Sequence, residues 1–231
     1  MNTQTAEITE ETLTEEEVAE AAQAPEVAQP PKEEDSIFEG KKHFPIFPTN
    51  LFEFVFKEEE SKKINDCLPH VQKMGDENKS NWVTQPTLNT LDEFKEVTSL
   101  LIEGTREVLG FSGVRFDDLL ITSLRAYRYT EPNLGPQEVR PNNLLSGLLF
   151  LKTDKKGVVT FFDPRPQAWI IKPPVSEANI FNSDAFSIES QENKMLVFPA
   201  WLQYQVAFKE GMEENIYLSW TAMVRGGAKS S

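Results

Sequence analysis

The stretch from Leu119 to Val224 constrains the fold more than any other part of the chain. It holds the apolar runs LLITSLRAYRYT, LLSGLLFLKT, GVVTFFD, AWIIKP, AFSI, KMLVFP, LQYQVAF and NIYLSWTAMV. These runs are short, rich in β-branched and aromatic residues, and separated by Pro, Gly, Asn and charged turns, which is how strands read. No interval between them shows the 3.6-residue periodicity of a crossover helix, so a parallel βαβ sheet is excluded. The earlier segment FPIFPTNLFEFVF (44–56) is aromatic and alternating, with prolines that suit a sheet edge. About eight or nine strands result, and a jelly roll is the commonest closed arrangement of that many.

Two helices are expected ahead of the strands. Over 58–74 the residues Ile64, Cys67, Leu68, Val71 and Met74 fall on one apolar face, and the acids of EEES suit the positive end of a helix dipole. Cys67 reads as a buried spacer on that face, and His70, one position off it, as a surface residue. Over 90–109 the spacing of Leu91, Phe94, Val97, Leu101, Thr105 and Val108 predicts a second helix, with Thr90 and Glu93 of TLDE as a capping box and Gly110 and Gly113 as the stop. The expected class is mainly β with two N-terminal helices: a double-stranded β-helix, or jelly roll, over residues 37–225, with a frayed tail over 226–231.

The 231 residues carry a net charge of −14, and the charge is uneven. Residues 1–36 hold eleven Asp or Glu, one Lys, no aromatic residue and the prolines Pro25, Pro30 and Pro31. Such a segment buries too little apolar surface to offset its ordering entropy. It reads as an acidic arm, either disordered or ordered by a partner, in which TLTEEEVAEAAQA could form a short helix capped by Thr14 with Glu17 three residues on. The acidic balance disfavours nonspecific nucleic-acid binding, which needs Lys and Arg to displace counterions. No stretch approaches the roughly 18–20 apolar residues of a membrane span, and the acidic N-terminus has no signal core. Cys67, the single cysteine, cannot form an internal disulfide. A cytoplasmic or virion setting is expected, without secretion by a signal peptide and without a membrane anchor.

Three segments in order, RPNNLLSGLLFLK (140–152), GVVTFFDPR (157–165) and MLVFPAWLQYQV (195–206), carry a resemblance to a known family. They resemble H-P-N-S-x-L-S-G-V-Y-Y-L-K, G-x-I-x-F-x-D-P-R and L-L-I-F-P-S-W-L-x-H-x-V of 2-oxoglutarate/Fe(II) oxygenases of bacteria and marine phages. Asn142, Leu145, Ser146 and Gly147 match within the first. ENIYLSWTA (214–222) is similar to E-R-I-S-I-S-F-N, and FPTNLFEF and NWVTQPTLNTLDEF fit the family's N-terminal portion, so the resemblance spans roughly 44–224. It implies a jelly roll. In active members it implies iron held by two histidines and a carboxylate, with 2-oxoglutarate gripped by a basic residue on the last strand.

This chain departs from the family at each ligand position. Glu138 and Arg140 stand where the family has histidines ahead of P-N, Tyr204 replaces the last histidine, and Asn215 stands where the last-strand arginine belongs. The two histidines of the chain, His43 and His70, both precede the jelly-roll strands. Glu138 can offer a carboxylate, Tyr204 would have to ionise from a pKa near 10, and Arg140 repels a cation. The expectation is therefore no catalytic residue, no metal and no cofactor. A vestigial site at Glu138, Arg140, Asn142, Tyr204 and Asn215 is expected instead, filled by a Glu138–Arg140 ion pair or an Arg140–Tyr204 contact. Asp163 and Arg165 around Pro164 read as a turn with a local salt bridge, Trp201 as a core residue, Asp117-Asp118 as a turn, and TDKKG (153–157) as a hairpin turn. No phosphate loop and no Ser/His/Asp or Cys/His arrangement is present.

Three functions stay open on these residues. The first is a non-catalytic structural or interaction protein. Its specific version is a phage virion component of the neck, tail or capsid, because the family occurs in phage genomes. Its partners would be protein subunits of an assembly, docked through residues 1–36, with no membrane and no sequence-specific nucleic acid. The second is an Fe(II)/2-oxoglutarate-dependent hydroxylase with non-standard ligands, which would need both cofactors. The third is a regulatory subunit binding an acidic metabolite through Arg125, Arg128 or Arg140. The scarcity of histidine favours the first over the second.

Overall fold

The computed structural model describes residues 42, 46–75, 79–153, 157–165, 167, 170–209 and 214–226. The acidic arm over 1–36 with its Thr14-capped helix, His43, most of the TDKKG turn and the tail beyond Gly226 lie outside the described residues.

In chain order the elements are β1 (Phe52–Val55), α1 (Glu58–Asp66), α2 (Leu68–Met74), β2 (Asn81–Val83), α3 (Lys95–Phe111), β3 (Asp118–Tyr129), β4 (Asn133–Leu134), β5 (Leu145–Lys152), β6 (Gly157–Phe162), β7 (Ala185–Glu189), β8 (Lys194–Pro199), β9 (Tyr204–Phe208) and β10 (Asn215–Arg225). They form a six-stranded sheet, β1-β8-β5-β10-β3-β2, and a four-stranded sheet, β4-β9-β6-β7. Every strand pair is antiparallel. This is the jelly-roll class, with β1 at a sheet edge.

The larger sheet is buried on both faces, which is why β5, β8 and β10 read as almost unbroken apolar runs. Its outer face, with Leu124, Leu149, Leu218 and Trp220, packs under α1 and α3 through Ile64, Val97, Leu101 and Val108. Its inner face meets the smaller sheet through a second core that is largely aromatic: Tyr127, Tyr129, Phe150, Phe161, Phe198, Tyr204, Phe208 and Tyr217. Alternation sorts the two cores. On β10, Ile216, Leu218 and Trp220 face the helices, while Tyr217 faces the smaller sheet.

The structure corrects several expectations. The helix expected over 58–74 is two helices, broken at Cys67. Pro69 has no N–H, and its ring would strike the carbonyl four residues back, so it is accommodated only in the first turn of a new helix. Cys67 is buried as expected, and its Sγ donates to the Ile64 carbonyl at 3.0 Å. His70 is half-buried, not on the surface. The second helix starts at Lys95, not Thr90, after two short 3-10 turns at Leu88–Thr90 and Asp92–Phe94. No capping box forms, because Thr90 Oγ1 turns back to donate to the Thr87 carbonyl at 2.7 Å. The AWIIKP strand is absent over residues 170–173: Ile170 and Ile171 are about four-fifths exposed, and Pro173 and Pro174 supply no ladder donors. Trp201 is not a core residue but half-exposed on the turn after Pro199, where Leu202 is the side chain that inserts. β2 and β4 are too short to show periodicity in the sequence. Among the described residues no helix is long and apolar enough to cross a membrane.

Candidate functional site

Glu138 and Arg140 lie on the connection from β4 to β5. Backbone hydrogen bonds tie this connection to β9 and to the turn before it. Glu138 N–H donates to the Tyr204 carbonyl at 2.8 Å, Tyr204 N–H returns to the Glu138 carbonyl at 3.0 Å, and Arg140 N–H reaches the Ala200 carbonyl at 2.9 Å. The extended backbone between them puts the Glu138 and Arg140 side chains on one side. There the Arg140 Nη2 donates to Glu138 Oε2 at 2.5 Å and to the Tyr127 hydroxyl at 3.2 Å. Tyr204 Oη donates to the same Glu138 oxygen at 2.7 Å, and Ser219 faces the Tyr204 hydroxyl from β10.

Electrostatics keeps Tyr204 neutral and Arg140 charged. Burial pushes the Tyr204 phenol well above its ordinary value, and the neighbouring Glu138 charge pushes it further. Burial acts against the Arg140 charge, but Tyr204, Glu138 and Tyr127 outweigh it and raise the guanidinium above its usual range. Burial likewise raises Tyr129 and Tyr217. The neutral phenols and the Arg140–Glu138 ion pair fill the space between the sheets together with stacked rings. Tyr127 and Tyr217 lie 4.9 Å apart and 2° from parallel, and Phe198 meets Tyr204 edge-on at 5.0 Å.

The structure thus brings Glu138, Arg140 and Tyr204 into one cluster. Asn142 is elsewhere: it sits on an exposed turn with a φ of 74°, a left-handed conformation that asparagine tolerates. Asn215 is buried at the head of β10 opposite Tyr129, separated from the cluster along the strand by Tyr217. Tyr127 and Ser219 were missed in the sequence reading. The signal that could have found them is the period-two face of β3 and β10, which is recognisable only once the register is known. Arg128 points to the opposite face of β3 and pairs with Glu214 at 2.6 Å.

Asp163 and Arg165 form the expected turn, with Arg165 Nε and Nη2 donating to the two Asp163 oxygens at 2.9 and 2.8 Å. They border a groove of about 730 Å³ between residues 46–53 and the β6–β7 hairpin. Its walls include Leu51, Phe161, Phe186 and Leu202, and none of Glu138, Arg140 and Tyr204.

No family model and no curated relative matches this sequence. Solved structures match its fold. HygX from Streptomyces hygroscopicus, determined with nickel and 2-oxoglutarate bound, aligns with a TM-score of 0.53 at 10% identity over 76% of this chain and 83% of that one. A prolyl-4-hydroxylase from Pseudomonas putida aligns at 0.53 and 8% identity, over 77% of this chain and 94% of that one. An oxidoreductase of the 2OG-Fe(II) oxygenase family from Burkholderia pseudomallei aligns at 0.50 and 13% identity, over 77% and 86%. The fold is that of the 2-oxoglutarate/Fe(II) oxygenases.

The residues at the centre of this oxygenase fold do not suit Fe(II). A ferrous site needs neutral or anionic donors with free lone pairs. The Glu138 carboxylate already accepts from Arg140 and Tyr204, the Tyr204 phenol is held far from ionisation, and Arg140 offers no lone pair and a fixed positive charge. Among the described residues no three His, Cys, Asp or Glu converge as a metal cluster. His70 lies on α2, in the helical layer.

Proposed function

We propose that this chain is a non-catalytic interaction protein built on an oxygenase-type jelly roll. The observation that carries the reading is the Arg140–Glu138 ion pair. By the motif resemblance Arg140 falls where the family has a metal-ligating histidine, and its 2.5 Å contact to Oε2 engages the one carboxylate of the cluster. Oxygenase chemistry through iron would have to break that pair and leave a partly buried cation beside the metal.

The partners in this reading are other protein subunits of an assembly, with the virion as the specific case and residues 1–36 as the docking segment. Exposed apolar side chains support a protein-facing surface: Phe47 and Phe181, both more than two-thirds exposed, line one groove, and contiguous exposed apolar patches mark contact surfaces.

The test is anaerobic titration of the full-length protein with Fe(II) and 2-oxoglutarate, followed by calorimetry and metal analysis of the desalted protein. The expected result is no stoichiometric iron and no iron-dependent binding of 2-oxoglutarate. One iron retained per chain together with bound 2-oxoglutarate would overturn the proposal in favour of a hydroxylase with unusual ligands.

A further inference from the structure

The two sheets end together on one side. Phe161 of β6 meets Phe198 of β8, while Tyr129 of β3 meets Phe208 of β9. The terminal strands β1 and β7 therefore lie on the same side of the sandwich, and the groove of about 730 Å³ is the seam between them. Four strands end the sheets: β1, β2, β4 and β7. A free edge invites pairing with another chain, and short length or a charged residue guards against it. β4 has two residues, β2 has three, and β1 has four with the charged Glu53 among them, bridged to Lys194 at 3.1 Å. β7 has five, AFSIE, with no proline, no lysine and its one charge at the last position. Among the described residues it pairs only with β6.

The phase of the β7 ladder fixes what this edge offers. Ser190 N–H donates to the Gly157 carbonyl, and the Asp184 carbonyl accepts from Asp163 N–H, both at 2.8 Å. Even-numbered residues thus turn their backbone groups toward β6, and Ala185, Ser187 and Glu189 turn theirs outward. A second β7 running antiparallel about a two-fold axis at Ser187 meets all three: Ser187 faces its own copy, and Ala185 faces Glu189 in both directions. Each such pair exchanges two backbone hydrogen bonds. The side chains agree with this register. Phe186 and Ile188 stand opposite Phe161 and Val159 of β6, which belong to the inter-sheet core, so they share its face. Pairing about Ser187 sets Phe186 against Ile188 of the second copy, an aromatic–β-branched pair on the core side. The two Glu189 carboxylates fall about 13 Å apart along the ladder, beyond the screening length at physiological salt.

Area and charge favour a second copy as the occupant. Phe47, Phe181 and Phe186 line the seam and are 90%, 68% and 38% exposed. At about 200 Å² for each ring side chain they offer roughly 400 Å², about half of the ~800 Å² that each partner contributes to a standard interface. Ile46, Ile180 and the strand edge add to it. The chain carries −14 overall, so two copies repel except where charge is balanced locally. Beside this edge it is balanced: Arg165 neutralises Asp163, and Lys172 neutralises Asp184. We propose that this protein forms a two-fold dimer by pairing β7 with β7 about Ser187, which joins the two four-stranded sheets into one continuous sheet. The proposal rests on the reading of the seam as a protein-facing surface and names the partner there as a second copy of the chain.

The experiment is sedimentation equilibrium of the full-length protein from low micromolar to a few hundred micromolar concentration. A monomer–dimer equilibrium is expected. Ser187→Pro removes an outward N–H and no backbone bond to β6, so the dimer dissociation constant should rise roughly tenfold or more while the monomer stays folded. Phe186→Lys puts a charge on the core side of the pair and should weaken the dimer similarly. Ser187→Cys places two thiols across the axis, with Cα atoms about 5.5 Å apart in a hydrogen-bonded pair, inside the range a disulfide spans. Mild oxidation should then trap a covalent dimer, with the buried Cys67 not competing. A wild-type monomer at every concentration overturns the proposal and leaves the non-catalytic reading standing, because that reading is decided by iron and 2-oxoglutarate binding. A dimer that neither Ser187→Pro nor Phe186→Lys weakens, or that Ser187→Cys does not cross-link, overturns the β7 pairing. Should Ser187→Pro fail to fold, Phe186→Lys decides in the same way.

Discussion

One carboxylate oxygen, Glu138 Oε2, accepts from both Tyr204 Oη at 2.7 Å and Arg140 Nη2 at 2.5 Å. The two donors come from β9 and from the β4–β5 connection, so the oxygen ties the smaller sheet to the segment that crosses its mouth. Tyr204→Phe keeps the ring against Phe198 and removes one donor, while Glu138 stays paired with Arg140. A loss of about 1 kcal/mol is expected, at the low end for a hydrogen bond to a charged group because the carboxylate is partly solvated. Urea unfolding with an unchanged m-value checks this. Equal stability of the two proteins would show that the hydroxyl contributes nothing.

Arg140 is the member whose loss should cost most. Arg140→Met leaves Glu138 charged, partly buried and without its cation, and a loss of about 2–3 kcal/mol is expected, below the range for fully buried pairs. Glu138→Gln combined with Arg140→Met removes both charges and should recover part of it. A double-mutant cycle in urea reads the coupling directly. Strictly additive single effects would mean that the pair is not coupled in solution.

The legibility of this chain followed the range of the interactions involved. Glu138 and Arg140 sit two residues apart, so their shared side could be read from the sequence, and their meeting with Tyr204 followed from the motif that frames each position. Tyr127 and Ser219 join the same cluster from strands that only register brings together, and no local pattern announces them. Strands buried on at least one face, such as KMLVFP, were legible because burial selects their composition. Ile170 and Ile171 of AWIIKP are also apolar but run into Pro173 and Pro174, and residues 170–173 stay out of the sheets. Pro69 and Thr90 show the opposite limit: each redirects a helix end through one backbone group, which an apolar periodicity over fifteen residues does not register.

Gly147 was legible as a motif residue, but the structure supplies its reason. A Cβ there would stand 2.2 Å from Trp220 Cζ2, and Trp220 is wholly buried in the helix-side core with no freedom to retreat. Gly147→Ala should therefore destabilise by about 1–3 kcal/mol through overpacking, with a shift in the buried tryptophan's fluorescence. A variant as stable as wild type would show that β5 and β10 can separate at this point without cost.

Burial pushes the Cys67 thiol up to about 12, and its Sγ donates to the Ile64 carbonyl. At neutral pH the reactive thiolate is essentially absent. Alkylating reagents should leave the native protein unlabelled and modify it fully once urea has unfolded it. Rapid native labelling at neutral pH would mean that the α1–α2 joint opens locally far below the global unfolding free energy.

Glu214 makes the clearest acid-sensitive contribution. It joins Arg128 at 2.6 Å and Lys152 at 2.8 Å, and Gln72 Nε2 donates to it at 3.2 Å, so it links β3, β5 and α2. Burial raises its pKa, but the hydrogen bonds and charges of Lys152 and Arg128 outweigh burial and leave the carboxyl below its ordinary value of 4.5. A carboxyl with a depressed folded-state pKa binds its proton less readily when folded than when unfolded. Its stabilising contribution is therefore complete above the unfolded-state value and is lost as pH falls through the folded-state value. Glu214→Gln should lower the melting temperature at neutral pH. The gap between variant and wild type should narrow as pH drops below about 4.5 and close once Glu214 is protonated in both states. A gap that stays constant down through that window would mean that the variant's loss comes from packing, and that the bridges to Arg128 and Lys152 add no charge-dependent stability.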